Sequence, residues 1–190
     1  MCSSDLVLRT EGEEIRLNRR HSEVMVILAQ HPEGLTGDRL ISALYDDDAA
    51  EATVRVEVAR LRRVLGEMVR SRPYRLAVPL AAAFAEVAEA LREQDPARAL
   101  AAYRGPLLPR SEAPEVVSER HWLDVRIRTA MLESGDPRLL EDWLERFGGE
   151  DLDGWERLAD LLPPGVRRAE ARSEVRRLRA SECPRQSPSD

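Results

Sequence analysis

The sequence predicts a mainly α-helical chain with a small β component, and three observations predict it. Aromatic residues are only 4% of the 190 residues, against 43% hydrophobic and 34% charged. The core is therefore built from Leu, Val and Ala, a mixture that favours helices over sandwiches and barrels. Strand-like alternation is confined to short runs before Asn18 and after Gly66, while apolar spacings of three and four residues dominate elsewhere.

The elements follow in order. Leu6–Arg9 and Glu14–Leu17 alternate around a turn at Glu11-Gly12 and form a strand pair. The first strand begins almost at residue 1, the pattern of a chain whose upstream part is missing. Asn18 is a suitable N-cap for a first helix over about 19–30, whose apolar stripe is Val24, Ile27 and Leu28. Pro32 and Gly34 stop it. Thr36 caps a second helix, with Asp38 in its first turn at the positive dipole end and Leu40, Ile41 and Leu44 inward. Asp46–Asp48 breaks the chain, and Asp48 with Glu51 resembles a capping box for a third helix over about 50–68. Val69–Val78 reads as a short hairpin with Ser71-Arg72-Pro73 near its tip. Strand pair, three helices and hairpin is the order of a winged helix-turn-helix, assigned to residues 1–79.

Beyond the hairpin the pattern is helical throughout, over about 81–93, 96–104, 115–133, 137–146, 151–161 and 166–180. Asp95-Pro96 and Asp136-Pro137 mark joints, with proline in the first turn of the following helix. Short joints imply antiparallel neighbours in a bundle or helical-repeat region. Residues 80–180 are thus assigned to an all-helical interaction domain, and 181–190, rich in Ser and Pro, to a disordered tail. Trp122, Trp143 and Trp155 are expected to fill helix–helix contacts, and Tyr103 to anchor packing.

Several function classes are excluded by what the motifs lack. No run approaches the roughly 18 apolar residues of a membrane span, and the start carries no secretory signal, so the expected location is cytoplasmic. Cys2 and Cys183 lie near opposite ends without a His or a further Cys nearby, which leaves no zinc site and no structural disulfide. All 29 basic residues are Arg, so a phosphate-binding loop of the Walker type, which needs Lys, is absent. His21, His31 and His121 are scattered beside helical surface positions with no nucleophile constellation. Asp46–Asp48 is read as a solvated loop rather than a metal site. The expectation is a protein without catalytic residues, metal or cofactor.

Charge is distributed unevenly. The net charge is −6, yet Ala52–Arg75 carries seven Arg against two acids, a local excess of five positive charges. A basic island on one element is the footprint of a phosphate-facing surface. At 100° per residue, Val54, Val58, Leu61 and Leu65 of the third helix fall within about 60° and form a core stripe. The opposite face carries Ala52, Thr53, Val56, Ala59, Arg60 and Arg63, with Arg55 at one edge and Arg62 on the flank. Ala52 and Ala59 permit close approach to a groove. Arg60 and Arg63 reach guanine edges or phosphates, Thr53 a phosphate, and Val56 a thymine methyl.

The segment Leu35–Leu65 resembles the DNA-binding domain of OmpR/PhoB-type regulators. The resemblance rests on the Leu35-Thr36 start, the aromatic-acidic break at Tyr45–Asp48, and the pattern Thr53, Val54, Val56, Val58, Arg60, Leu61, Arg62. It covers about residues 6–79. It implies a phosphate contact for Thr53, a base contact for Arg60, a backbone contact for Arg62 and a wing position for Tyr74. Ala52 stands where that family usually has Arg, Glu57 where His is common, and Arg72-Pro73 replaces the glycines before the wing tyrosine. Phe84–Met131, above all Tyr103–Pro109 (YRGPLLP) followed by Trp122-Leu123, is similar to the bacterial transcriptional activation domain, a tetratricopeptide-like helical region.

Together these readings describe a DNA-binding transcriptional regulator module. Arg55, Arg62, Arg72 and Arg75 neutralise phosphates, and Arg60 and Arg63 face bases. The partners are double-stranded DNA and, through the helical region, RNA polymerase or another protomer. A missing upstream sensor, such as a GAF domain, is expected from the resemblance to the C-terminal half of larger regulators. The alternative reading is a protein-interaction scaffold whose winged helix does not bind DNA.

Overall fold

A computed structural model describes residues 7–10, 13–46 and 51–182. Among these, the chain forms a winged helix followed by a helical C-terminal region, as its fold class predicts. The order is β1 (Val7–Thr10), β2 (Glu13–Arg16), α1 (Arg19–Gln30), α2 (Gly37–Leu44), α3 (Glu51–Leu65), a 3-10 turn (Gly66–Met68), β3 (Val69–Ser71), β4 (Tyr74–Leu76), α4 (Ala83–Arg92), α5 (Pro96–Ala102), α6 (Pro114–Glu133), α7 (Pro137–Arg146), α8 (Leu152–Leu161) and α9 (Val166–Glu182). The chain divides into two compact units. One holds the residues up to Glu86 together with Arg104–Asp124; the other holds Val87–Tyr103 and the residues from Val125 on.

In the first unit, two antiparallel hairpins flank three helices. β1 and β2 pair with Leu8 opposite Ile15, and β3 and β4 with Val69 opposite Leu76. The caps work as the residue types dictate. The Asn18 side chain accepts from the His21 N–H at 2.8 Å, and Thr36 Oγ1 accepts from the Arg39 N–H at 3.4 Å, each meeting an otherwise unpaired first-turn donor. The Asp48–Glu51 capping box lies outside the described side chains. The third helix is shorter than the expected 50–68. Gly66, at φ +58, takes the left-handed conformation that ends helices, and the chain tightens into the 3-10 turn.

The α1 helix is the centre of this unit. Eight consecutive residues, His21–Leu28, are buried, so the helix is enclosed all round rather than along one stripe. Its apolar side meets Leu17, Leu40, Leu44, Val54, Val58 and Leu61 in one core. The rest of its burial follows from the segment 104–124. Ser111 Oγ donates to the buried Glu23 carboxylate at 2.8 Å, and His31 pairs with Glu115. Arg120 fastens that segment to itself, donating to the carbonyls of Leu107, Leu108 and Ser111 at 3.2, 2.6 and 3.2 Å.

The wing is held at its base. Leu35 and Tyr74 exchange both backbone hydrogen bonds at 2.9 Å, which extends β4 by one bridge beside the α1–α2 turn. Gly34 makes this possible. Its φ is +92, and a Cβ there would lie 2.7 Å from Pro73 Cγ and 2.9 Å from Pro73 Cβ. Gly34→Ala is expected to lower stability by about 1–3 kcal/mol, through left-handed backbone strain and this overlap, read as a lower denaturation midpoint. An unchanged midpoint would mean that the wing is not seated against the turn.

The second unit is helical. Asp95, Asp136 and Asp151 cap α5, α7 and α8 by accepting first-turn N–H groups, with proline opening α5 and α7. Its core includes Leu100, Tyr103, Ile127, Met131, Leu140, Trp143, Leu144 and Leu158. Tyr103 meets Phe147 edge to face with ring centroids 4.7 Å apart, the packing role expected for it. Trp143 is buried, and the half-buried Trp155 donates to the Gly149 carbonyl at 3.0 Å. Trp122 departs from expectation and is 38% exposed. Arg128 grips Asp151 at 2.5 and 3.0 Å and Asp153 at 2.7 Å, tying α6 to the start of α8. The α9 helix packs on α8 and includes Ser181 and Glu182, which the sequence reading assigns to the tail. The rest of that tail lies outside the described residues.

Candidate nucleic-acid interface

The α3 helix presents two opposite faces. Val54, Val58, Leu61 and Leu65 are all buried, as the spacing requires. Turned away from them, Ala52, Thr53, Arg55, Val56, Ala59, Arg60 and Arg63 are all exposed, with Val56 at 47%. An exposed valine among arginines on a rigid helix has no packing role in this unit. The buried stripe beneath sets the position of each residue on this face.

Local electrostatics refine this face. Arg60 donates to Glu57 at 2.7 Å, one helical turn away. The Glu57 side chain is mostly buried and lies 3.8 Å from His21 Nε2, so its carboxylate turns toward α1 rather than out from the face. His21 is itself buried, against its reading as a surface histidine. Burial lowers its pKa, the Glu57 carboxylate opposes that, and Arg60 adds to it. Arg62 is half-buried and reaches Glu67 at 3.5 Å. Among the described residues, Arg63 has no carboxylate partner.

The wing supplies the second group of predicted residues. Arg72 is exposed at the tip, while Tyr74 and Arg75 are half-buried along β4. Arg70 stands directly opposite Arg75 across the ribbon. Like charges in a directly opposed pair are unfavourable by themselves. In the sequence Arg70 belongs to the basic island but not to the expected site; only the strand register reveals the opposed pair.

Other clusters are structural. Glu23 is buried, held by Arg20 at 2.8 Å and by Ser111, and the Arg20 guanidinium lies 4.4 Å from the centre of the Tyr45 ring. Local spacing presents Arg20 and Glu23 as an ordinary surface pair, so no sequence signal marks their burial. Among the described residues no group of three or more His, Cys, Asp or Glu is arranged to hold a metal ion, and no helix is long and apolar enough to cross a membrane.

Comparison with known proteins agrees with this geometry. Residues 12–76 match the family described as transcriptional regulatory protein, C terminal, the OmpR/PhoB-type DNA-binding domain. Residues 136–181 match a family described as YTH3-like protein, third C-terminal helical domain. A Rhodococcus erythropolis protein described as an uncharacterized 47.3 kDa protein in the thcA 5' region is 36% identical over 155 residues. That alignment covers 80% of this chain and 36% of the relative, so the chain spans about a third of the relative's length. No solved structure matches the chain. The first match supports a DNA-binding, transcription-regulating role; the matched family is regulatory rather than enzymatic.

Proposed function

We propose that this chain is a sequence-specific DNA-binding module of a transcriptional regulator, with α3 lying in the major groove. The observation that carries the proposal is the outward row of Arg60, Arg63 and Val56 on a helix anchored by four buried residues, inside the segment that matches the regulator family. Arg60 and Arg63 face base edges, where an arginine can bond guanine O6 and N7 together. Val56 meets a thymine methyl, and Ala52 and Ala59 leave room for the groove wall. Thr53, Arg55, Arg62, Arg72 and Arg75 contact phosphates, with Tyr74 beside them on the wing. The opposed Arg70–Arg75 pair supports this assignment, since a phosphate between them removes their mutual repulsion.

In this reading residues 1–79 contact DNA and residues 80–180 contact protein. The helical region is of the activation-domain type and meets RNA polymerase or a second protomer. One module of this size buries roughly 600–1,000 Å² of its surface on DNA. Specific binding therefore uses two copies on repeated half-sites. Selection of binders from a random duplex pool tests the proposal. Enrichment of a repeated half-site at about one helical turn, 10–10.5 base pairs, is the expected result. A pool that remains random through selection would overturn it.

A further inference from the structure

The α9 helix carries six arginines against three glutamates, and the arginines divide into two sets. Arg167 pairs with Glu141 on α7, Arg177 with Glu174 at 2.7 Å and Glu150 at 3.2 Å, and Arg179 with Glu156 on α8 at 2.6 Å. These three serve the fold. Arg168, Arg172 and Arg176 have no carboxylate partner among the described residues. The Arg168 Nε is buried without any hydrogen-bond partner.

The second set is regularly placed. Spaced by four residues, its members step by about 40° and rise about 6 Å each time, forming a row of about 12 Å along one flank of the helix. By the same arithmetic Glu170 and Glu174 lie about 160° round the helix from Arg172, across from the row. The row and Pro164, Gly165 and Ala169 line an open depression of ≈ 400 Å³. Like charges four residues apart on a helix repel one another. Three such charges without a carboxylate partner among the described residues form a site open to an external counter-charge.

We infer that this face of α9 is a second contact surface for duplex DNA, binding phosphates of its backbone through Arg168, Arg172 and Arg176. The lining favours phosphate over a protein partner. Protein interfaces are anchored by aromatic or large aliphatic side chains in pockets, and none lines this depression. Guanidinium groups match phosphate geometry with paired N–H donors. Gly165 and Ala169 add no bulk to hold a backbone away. A row of three charges suits a polymer, and duplex DNA carries one charge per about 1.7 Å of axis. The inference rests on the proposed duplex binding but concerns a surface outside the family-matched segment 12–76.

The test measures affinity of the full chain for a mixed-sequence duplex longer than two helical turns, over a series of salt concentrations. Each phosphate contact contributes about 0.9 to the slope of log affinity against log salt. R168Q/R172Q/R176Q is expected to reduce that slope by about 2–3 while leaving the selected base sequence unchanged. R172Q/R176Q changes only exposed side chains and is expected to reduce the slope by about 2, which guards against a folding defect from the half-buried Arg168. Slopes equal to wild type in both variants overturn the inference. R60A/R63A separates the two readings. If it abolishes base preference while the α9 variants bind like wild type, the α3 assignment stands and the α9 surface fails. If the α9 variants lose slope and R60A/R63A changes nothing, the α9 surface stands and α3 is misassigned. A wild-type chain without affinity for duplex DNA overturns both.

Discussion

Arg60→Ala and Arg63→Ala are each expected to weaken binding to the selected duplex by about 1–3 kcal/mol, and to relax base preference at one position apiece. The effect is large because a bidentate arginine is the main discriminating contact a groove helix makes with guanine. Arg60 must first leave Glu57, an exchange that costs little. Arg60 is the solvent-exposed member of that pair, at 60% against 17% for Glu57, and ion pairs open to solvent contribute about 0–1 kcal/mol. Removing either arginine leaves the folded state intact, since neither guanidinium supports the core. Unchanged denaturation midpoints beside lost affinity are therefore the expected signature, measured by binding titration and chemical denaturation on the same preparations. Full affinity in both variants would mean that the base-reading face lies elsewhere.

One position along the same helix, the expected result reverses. Leu61 is fully buried between Val58 and Leu65 beneath the exposed face. Leu61→Ala removes buried methyl and methylene groups and leaves a cavity, a change that costs about 2–5 kcal/mol. Against a total of about 5–15 kcal/mol for an ordinary domain, that is a large share. The urea midpoint should fall sharply. Binding should fall only in proportion to the fraction unfolded, because no DNA-facing group is lost. A loss below about 1 kcal/mol would show that α3 is not seated by its apolar stripe, since that is less than even a well-relaxed deletion costs. In the proposed function the adjacent residues 60 and 61 thus separate two roles of the helix, reading on one side and anchoring on the other.

Much of this arrangement is legible in the sequence because its signals are local. Asn18, Thr36, Asp95-Pro96 and Asp136-Pro137 mark helix starts with side chains that satisfy first-turn donors, and those bonds form. The α3 stripe needs only the helical period. What escapes sequence reading is long-range. Glu23 and Ser111 meet across 88 positions, and no periodicity connects them. For the same reason the enclosure of α1, and with it the burial of His21, is invisible along the chain. By the helical period Glu57 falls on the flank of α3, between Leu61 and Arg60. Its approach to His21 on α1 is the long-range contact that the period does not reveal. The overrun of α3 has a simpler cause: the expected range 50–68 places Gly66 inside the helix, whereas its left-handed backbone ends the helix there.

In the proposed complex α3 occupies the major groove with its arginines at guanine edges. Methylation interference on the selected duplex tests it most directly, because a methyl on guanine N7 occupies the acceptor that an arginine would use. Guanine methylation within each half-site is expected to block binding, and the block at one position is expected to disappear in R60A or R63A. Binding indifferent to guanine N7 methylation throughout a guanine-containing site would contradict it.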